Sequence, residues 1–385
     1  MQKNFVFELP TKIEFGEGKI LKTGDSAKTL GASRVILITD RGLSKTEIIN
    51  NVMTSLKNAD MQVLLYDDVR ANPRDTEAQK AAEFARSEGA DAVVACGGGS
   101  SMDLGKAVAA LLTNQGDIQS IMKPNRVERR PAPLICIPTT AGTGSEVTSF
   151  AVLTIEKENR KSSIFDDKIR PDIAINDPAV LYELPSAVAA PTGMDALTHA
   201  IEAYTCKLAN PVTDGLALQA MRYISESLPS FIQEKDRESC FKMMAGSLMA
   251  GIAFGFSDIA GVHCMAEALG GMYDTPHGVA NSIFLPIVFE YNSTADLERH
   301  RNVALALGVD PTNKTREEII AEAVGWLKDL SAELKIPSLK QLGYVNRQKF
   351  GELADLCMKN VSLPSNARSL EKADFISLFE AAYKI

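Results

Sequence analysis

The sequence is poor in histidine and tryptophan: 385 residues carry four of the first and one of the second. Its six cysteines, Cys96, Cys136, Cys206, Cys240, Cys264 and Cys357, form no CxxC pair. That excludes a paired-thiolate zinc site and argues for reduced, mostly buried thiols, as in a cytoplasmic protein. No apolar run approaches the roughly 20 residues of a membrane span, and Met1-Gln2-Lys3-Asn4-Phe5 lacks the apolar core of a signal peptide. A basic excess is also missing. Lys plus Arg number 41 against 49 Asp plus Glu, a net charge of −8, which argues against a nucleic-acid or anionic-membrane surface. A cytoplasmic, enzyme-sized protein is expected.

What is present divides into two parts. Val35 to Thr39, Val63 to Tyr66, Ala92 to Cys96 and Leu134 to Ile137 read as buried strands, with further strands at Ala151 to Ile155 and Asp172 to Ile175. Helical spacing between them, at Thr76 to Glu88 and Leu104 to Leu112, implies βαβ units and a parallel sheet. Phe5 to Leu9 and Lys12 to Phe15 read as a small edge hairpin, a plausible dimer edge. After about Pro185 strand signals stop, and Asp195 to Tyr204, Gly215 to Ser227, Phe241 to Phe254, Val262 to Leu269 and Glu317 to Leu334 carry helical periodicity. The expectation is an α/β domain over residues 1–185 and an all-helical domain over 186–385.

Two polar loops follow strands in the first part. Gly97-Gly98-Gly99-Ser100 opens a helix, where glycines let backbone amides approach a phosphate and the helix terminus favours negative charge. It matches neither GxGxxG nor a Walker loop, and a tight capped turn explains it equally well. Pro138-Thr139-Thr140-Ala141-Gly142-Thr143-Gly144-Ser145-Glu146 offers hydroxyls and amides to a ribose or pyrophosphate. Two such loops at the carboxyl ends of parallel strands fit the general ligand site of open α/β sheets. Asp40, ending the first long strand, is either a helix cap or an acceptor for both adenosine ribose hydroxyls. In the second role it would repel a 2′-phosphate and favour NAD over NADP.

The helical part holds the scarce histidines. Asp195 and His199 are four apart and share a helix face. His263 follows in Gly261-Val262-His263-Cys264, and His277 in a rigid turn between Pro276 and Gly278. Each alone reads as a structural residue. Together, one carboxylate and three imidazoles can hold a divalent ion and leave a position for a substrate oxygen. Such a set suits Fe(II), Zn(II), Mn(II), Co(II) or Ni(II) without choosing among them. His300, in the charged run Leu297-Glu298-Arg299-His300-Arg301, reads as solvated.

These segments, with Gly193 to Tyr204 and Pro276-His277-Gly278-Val279-Ala280-Asn281, resemble the iron-containing (group III) alcohol dehydrogenase family over nearly the whole chain. The resemblance implies a dehydroquinate-synthase-like fold, NAD, and one divalent metal, Fe(II) or sometimes Zn(II), on Asp195, His199, His263 and His277. It also implies that Gly97, Gly98, Gly99 and Ser100 hold the pyrophosphate and that Thr139, Thr140 and Thr143 line the adenine and ribose. Asn72, Asp103, Ser149 and Lys161 join them on the cofactor side, and Phe150 and Phe254 fall at substrate-pocket positions. For those two, ordinary core aromatics are the competing reading. A homodimer or larger homo-oligomer is implied as well. One position departs from the family. A histidine commonly stands four residues after the third metal ligand, often implicated in proton relay, and here it is Glu267. A proton relay, a substrate contact and an off-site ion pair are the readings open to that carboxylate.

The implied reaction interconverts a small primary alcohol or diol and its aldehyde, a metal-bound alkoxide passing hydride to nicotinamide C4. The rivals are a lyase of the dehydroquinate-synthase type and a glycerol-type polyol dehydrogenase. The lyase needs several cations to clamp phosphate and carboxylate groups, yet Gly251 to Leu269 contains neither Lys nor Arg.

Overall fold

Runs of aliphatic and β-branched side chains, too short for helices, form most of the strands, and the most apolar lie at the sheet centre. In chain order these are β1 (Lys12–Phe15), β2 (Arg34–Ile38), β3 (Gln62–Tyr66), β4 (Ala92–Gly97), β5 (Leu134–Pro138), β6 (Phe150–Ile155), β7 (Arg160–Phe165) and β8 (Ile173–Asn176). The computed structural model describes residues 2–158 and 160–384. Within it the chain divides into two units, Glu8–Leu184 and Pro185–Ile385, the latter joined by Met1–Phe7.

In the first unit the main sheet runs β1-β8-β5-β4-β2-β3, with every pairing parallel. Helices α1 (Thr23–Thr29), α2 (Glu47–Asn58), α3 (Asp75–Ser87) and α4 (Gly99–Thr113) connect and cover the strands. Ile36, Ile38, Val93, Ala95 and Cys136 share a core with Ala78, Ala82, Met102 and Leu104. Small residues on α3 and α4 let these helices lie close to the strands. Register brings the strand ends together, because Ile38 pairs with Ala95 and Gly97 with Pro138. The turns after β2, β4 and β5 therefore share one edge.

Two expectations for the strands need correction. Phe5 to Leu9 forms no strand, and Lys12–Phe15 pairs parallel with Ile173–Asn176 rather than in a hairpin. Phe7 instead packs on Phe256, with ring centroids 4.4 Å apart, and Gln2 donates to the carbonyl of Ala209. A parallel partner some 160 residues away leaves no local signal distinguishing it from a hairpin arm. Meanwhile Ala151 to Ile155 is a strand outside the main sheet, paired antiparallel with β7, whose polar Arg160-Lys161-Ser162-Ser163 hid it.

The second unit is helical: α5 (Ser186–Thr205), α6 (Pro211–Gln233), α7 (Arg237–Gly255), α8 (Gly261–Tyr273), α9 (His277–Ser293), α10 (Leu297–Ala306), α11 (Arg316–Glu333), α12 (Phe350–Cys357) and α13 (Lys372–Lys384). Local chemistry sets several starts. Asn210 accepts from the amides of Val212 and Thr213 with Pro211 at the first helical position, and Thr315 forms a capping box with Glu318. From Gly193 to Tyr204, α5 is buried on every side. Its polar residues must therefore find partners inside the unit.

His300 is not solvated. It is 1% exposed on α10, facing the Asp296 carbonyl through Nδ1 at 2.8 Å and packing 5.0 Å from the Phe289 ring. Glu298 of the same run is exposed, Arg299 turns in to pair with Asp214, and His300 points into the core, as successive positions around a helix allow.

Candidate active site: a metal centre and two nucleotide loops

Four ligand atoms, one each from Asp195, His199, His263 and His277, lie within 4.8 Å of one another. Three helices bring them there. Asp195 and His199 occupy adjacent turns of α5, His263 the first turn of α8, and His277 the first residue of α9. His277 thus begins a helix after Pro276 instead of sitting in a turn. Its approach to α5 depends on Gly278, where a β-carbon would stand 2.3 Å from the Pro191 carbonyl oxygen. The His199 ring stacks on His263 at 4.6 Å and on Phe254 at 4.3 Å.

The surrounding bonds orient these groups. Asn281, fully buried one turn along α9 from His277, donates through Nδ2 to Asp195 Oδ1 at 2.6 Å. The same nitrogen lies 3.2 Å from both His263 Nε2 and His277 Nε2. Asn281 Oδ1 is buried without a hydrogen-bond partner among the described residues. On the far side of His263, Nδ1 meets Glu202 at 2.6 Å. Burial pushes the Asp195 carboxyl up, but His199, His277, His263 and Asn281 outweigh it and hold the group below its ordinary value. Burial pulls His263 down, yet Glu202 and Asp195 carry it above the usual imidazole range. An acidic oxygen and three imidazole nitrogens facing one point fit a divalent cation.

Sequence reasoning passed over Glu202 and Asn281 as participants, although both stand inside motifs it singled out. A polar residue amid an apolar helix run was the available signal. Glu267 lies one turn beyond His263 on α8, where its Oε2 accepts from Asn360 Nδ2 at 2.8 Å and its charge helps raise His263.

In the α/β unit the two polar loops are adjacent. Thr139 donates its amide to the Gly97 carbonyl at 3.0 Å, and Thr140 lies beside Gly98. Gly98 caps α4, so Gly99 and Ser100 occupy its first turn. The Thr140 hydroxyl is buried without a partner among the described residues, an unsatisfied group beside the half-buried amino terminus of α4. Asp40 Oδ1 accepts from the amides of Gly42 and Leu43 at 2.8 and 3.0 Å, so its carboxylate is held in place at the end of β2.

Other residues tie the loops together. Asp103 accepts from Ser145 Oγ at 2.6 Å and from the Val152 amide at 2.9 Å. Ser149, 1% exposed, accepts from Arg170. Lys106 is fully buried and donates to Thr148 Oγ1 and the Phe150 carbonyl at 3.1 and 2.6 Å. Asn72, at φ 54°, precedes Pro73, whose carbonyl accepts from Thr154 at 2.8 Å. Lys161 pairs with that same Thr154 across the β6–β7 ribbon. The ribbon thus links the Asn72 turn to Lys161. Phe150 stacks on Phe165 at 5.0 Å, the ribbon's own aromatic pair.

Comparison with known proteins bears directly on this arrangement. A profile described as iron-containing alcohol dehydrogenase matches residues 10–178, and its C-terminal counterpart, Fe-containing alcohol dehydrogenase family, matches 189–383. The chain belongs to the iron-containing alcohol dehydrogenase family. It is 36% identical over 383 residues to a 1,3-propanediol dehydrogenase of Citrobacter freundii, covering 98% of this chain and 99% of that protein. A choline dehydrogenase of Bacillus subtilis is 35% identical over 389 residues, covering 100% and 96%. The crystal structure of a 1,3-propanediol oxidoreductase superposes with a TM-score of 0.96 at 35% identity, covering 99% of this chain and 100% of that one. The protein is an oxidoreductase acting between alcohols and aldehydes, on the two-part fold of its family. Among the described residues no helix is long and apolar enough to cross a membrane.

Proposed function

We propose that this family member uses NAD and one divalent ion, Fe(II) or else Zn(II), to interconvert a small primary alcohol or diol and its aldehyde. The observation that carries this is the convergence of Asp195, His199, His263 and His277 within 4.8 Å. When bound, the ion supplies Lewis acidity to the substrate oxygen, and the nicotinamide accepts hydride at C4. The protein's share is positioning. Asp195 and the three imidazoles hold the ion, and Asn281 fixes the carboxylate by its bond to Oδ1. Phe254, against His199, covers one side of the centre and excludes water there. Phe150, which the family resemblance puts at a substrate-pocket position, is assigned as a second substrate contact. Glu267, the carboxylate one turn beyond His263, takes up the substrate proton or contacts the substrate directly.

For the cofactor we assign the backbone of Gly97, Gly98, Gly99 and Ser100 to the pyrophosphate, Thr139, Thr140 and Thr143 to the adenine and ribose, and Asp40 to the adenosine hydroxyls. The α4 amino terminus and the unpartnered Thr140 hydroxyl support that reading. Asn72 and Lys161, joined through Thr154, serve the nicotinamide side, while Asp103 and Ser149 serve by holding the loops in register. A cytoplasmic location accords with six buried cysteines outside any disulfide, and β1 at the sheet edge offers a homodimer contact.

The test is a screen of short alcohols, diols and aldehydes with NAD(H) and NADP(H) after reconstitution with Fe(II) or Zn(II). The expected result is turnover of a short alcohol or diol, and of its aldehyde, with NAD(H) preferred. No turnover with any of them overturns the proposal.

A further inference from the structure

One enclosed carboxylate has no part in the chemistry above. Glu202 lies on α5, three residues beyond His199 and 3% exposed, and its bonds go to α8. Oε1 accepts from the Val262 amide at 2.7 Å. Oε2 accepts from the Ala260 amide at 2.9 Å and stands 2.6 Å from His263 Nδ1. The two amides belong to the start of α8, where backbone donors lack helical partners. One carboxylate therefore satisfies the helix terminus and the imidazole that the first turn of that helix carries.

The bond to Nδ1 has a consequence at the opposite nitrogen. A carboxylate accepts, so Nδ1 carries the proton, and in the neutral ring Nε2 keeps its lone pair. Nε2 is the nitrogen turned inward, 3.2 Å from Asn281 Nδ2 and 3.9 Å from Asp195 Oδ1. Partners of this kind fix a ligand's tautomer and ring plane and strengthen its basicity. We infer that Glu202 is a positioning residue that fixes His263 as the Nδ1–H tautomer and thereby sets how tightly the ion is held. The inference rests on reading Asp195, His199, His263 and His277 as the metal centre.

A neighbouring bond separates this role from simple anchoring of the helix. Asn366 Oδ1 accepts from the Gly261 amide at 3.0 Å, securing the same start of α8 without touching His263. Zinc(II) affinity, read by competition with a chromophoric chelator, is compared for wild type, Glu202→Gln and Asn366→Ala. In Glu202→Gln the amide sets a donor against donors, and affinity is expected to fall about 10–100-fold, with Asn366→Ala within about twofold of wild type. With only four histidines in the chain, nitrogen-detected imidazole spectra of the metal-free protein at alkaline pH give the tautomer directly. His263 is expected with its proton on Nδ1 in wild type.

Unchanged affinity in Glu202→Gln, or an equal loss in Asn366→Ala, overturns the inference. A proton on His263 Nε2 in wild type overturns it even if Glu202→Gln does not fold. Wild-type protein that binds no Zn(II) is a different failure, because it removes the metal-centre reading itself.

Discussion

Gly99 and Thr143 approach so closely that a β-carbon on Gly99 would lie 2.9 Å from Thr143 Cγ2 and 3.2 Å from its Oγ1. The contact joins the two loops assigned to the nucleotide. Thr143 is stiff at χ1, and its hydroxyl also accepts from the Ser145 amide at 3.3 Å, so it does not yield cheaply. Gly99→Ala should therefore part the loops and weaken NADH binding about tenfold, equivalent to ~1.4 kcal/mol. Fluorescence titration of NADH checks it, and an unchanged Kd contradicts the assignment.

Asp40 gives a charge test that leaves the local fold intact. Its Oδ1 caps the turn at Gly42 and Leu43, and an asparagine keeps that acceptor while removing the negative charge. Asp40→Asn should raise the kcat/KM ratio of NADPH to NADH about tenfold. Parallel steady-state assays with the two cofactors measure it. No change in the ratio would leave Asp40 as a cap alone.

His300 predicts a pH effect on stability. Burial holds its imidazole below the ordinary value of 6.5, and its Nε2 has no partner among the described residues. A depressed folded value means that its stabilisation is complete above the ordinary value. It is lost as pH falls through that value toward the folded one, where the unfolded chain binds the extra proton. His300→Asn retains a donor for the Asp296 carbonyl and does not titrate. The stability difference between wild type and this variant should shift against wild type as pH falls from about 8 to about 5. Urea unfolding at the two values reads the shift, and a constant difference contradicts it.

The four residues of the candidate metal centre were legible because their signal is local or scarce. Asp195 and His199 share a face by spacing, and three of the four histidines stand one each in three short segments. The strand-end loops were legible for a similar reason, each being a polar break after an apolar run. What escaped depends on tertiary pairing. Glu202 reads as a helix residue until α8 is folded against it, and β7 reads as a charged loop until β6 pairs with it. Lys12–Phe15 has the alternation of any edge strand, and only the fold reveals its parallel neighbour. His300 was misread because composition was weighed there in place of helical phase.

The central claim is that the four-residue centre holds an ion needed for alcohol–aldehyde interconversion. The direct measurement is NADH-dependent reduction of a short aldehyde before chelation, after chelation and dialysis, and after return of Fe(II) or Zn(II). Activity should fall about a hundredfold or more on stripping and return with the ion, while His199→Ala should stay inactive throughout. Aldehyde reduction that stays constant through all three stages would contradict the claim.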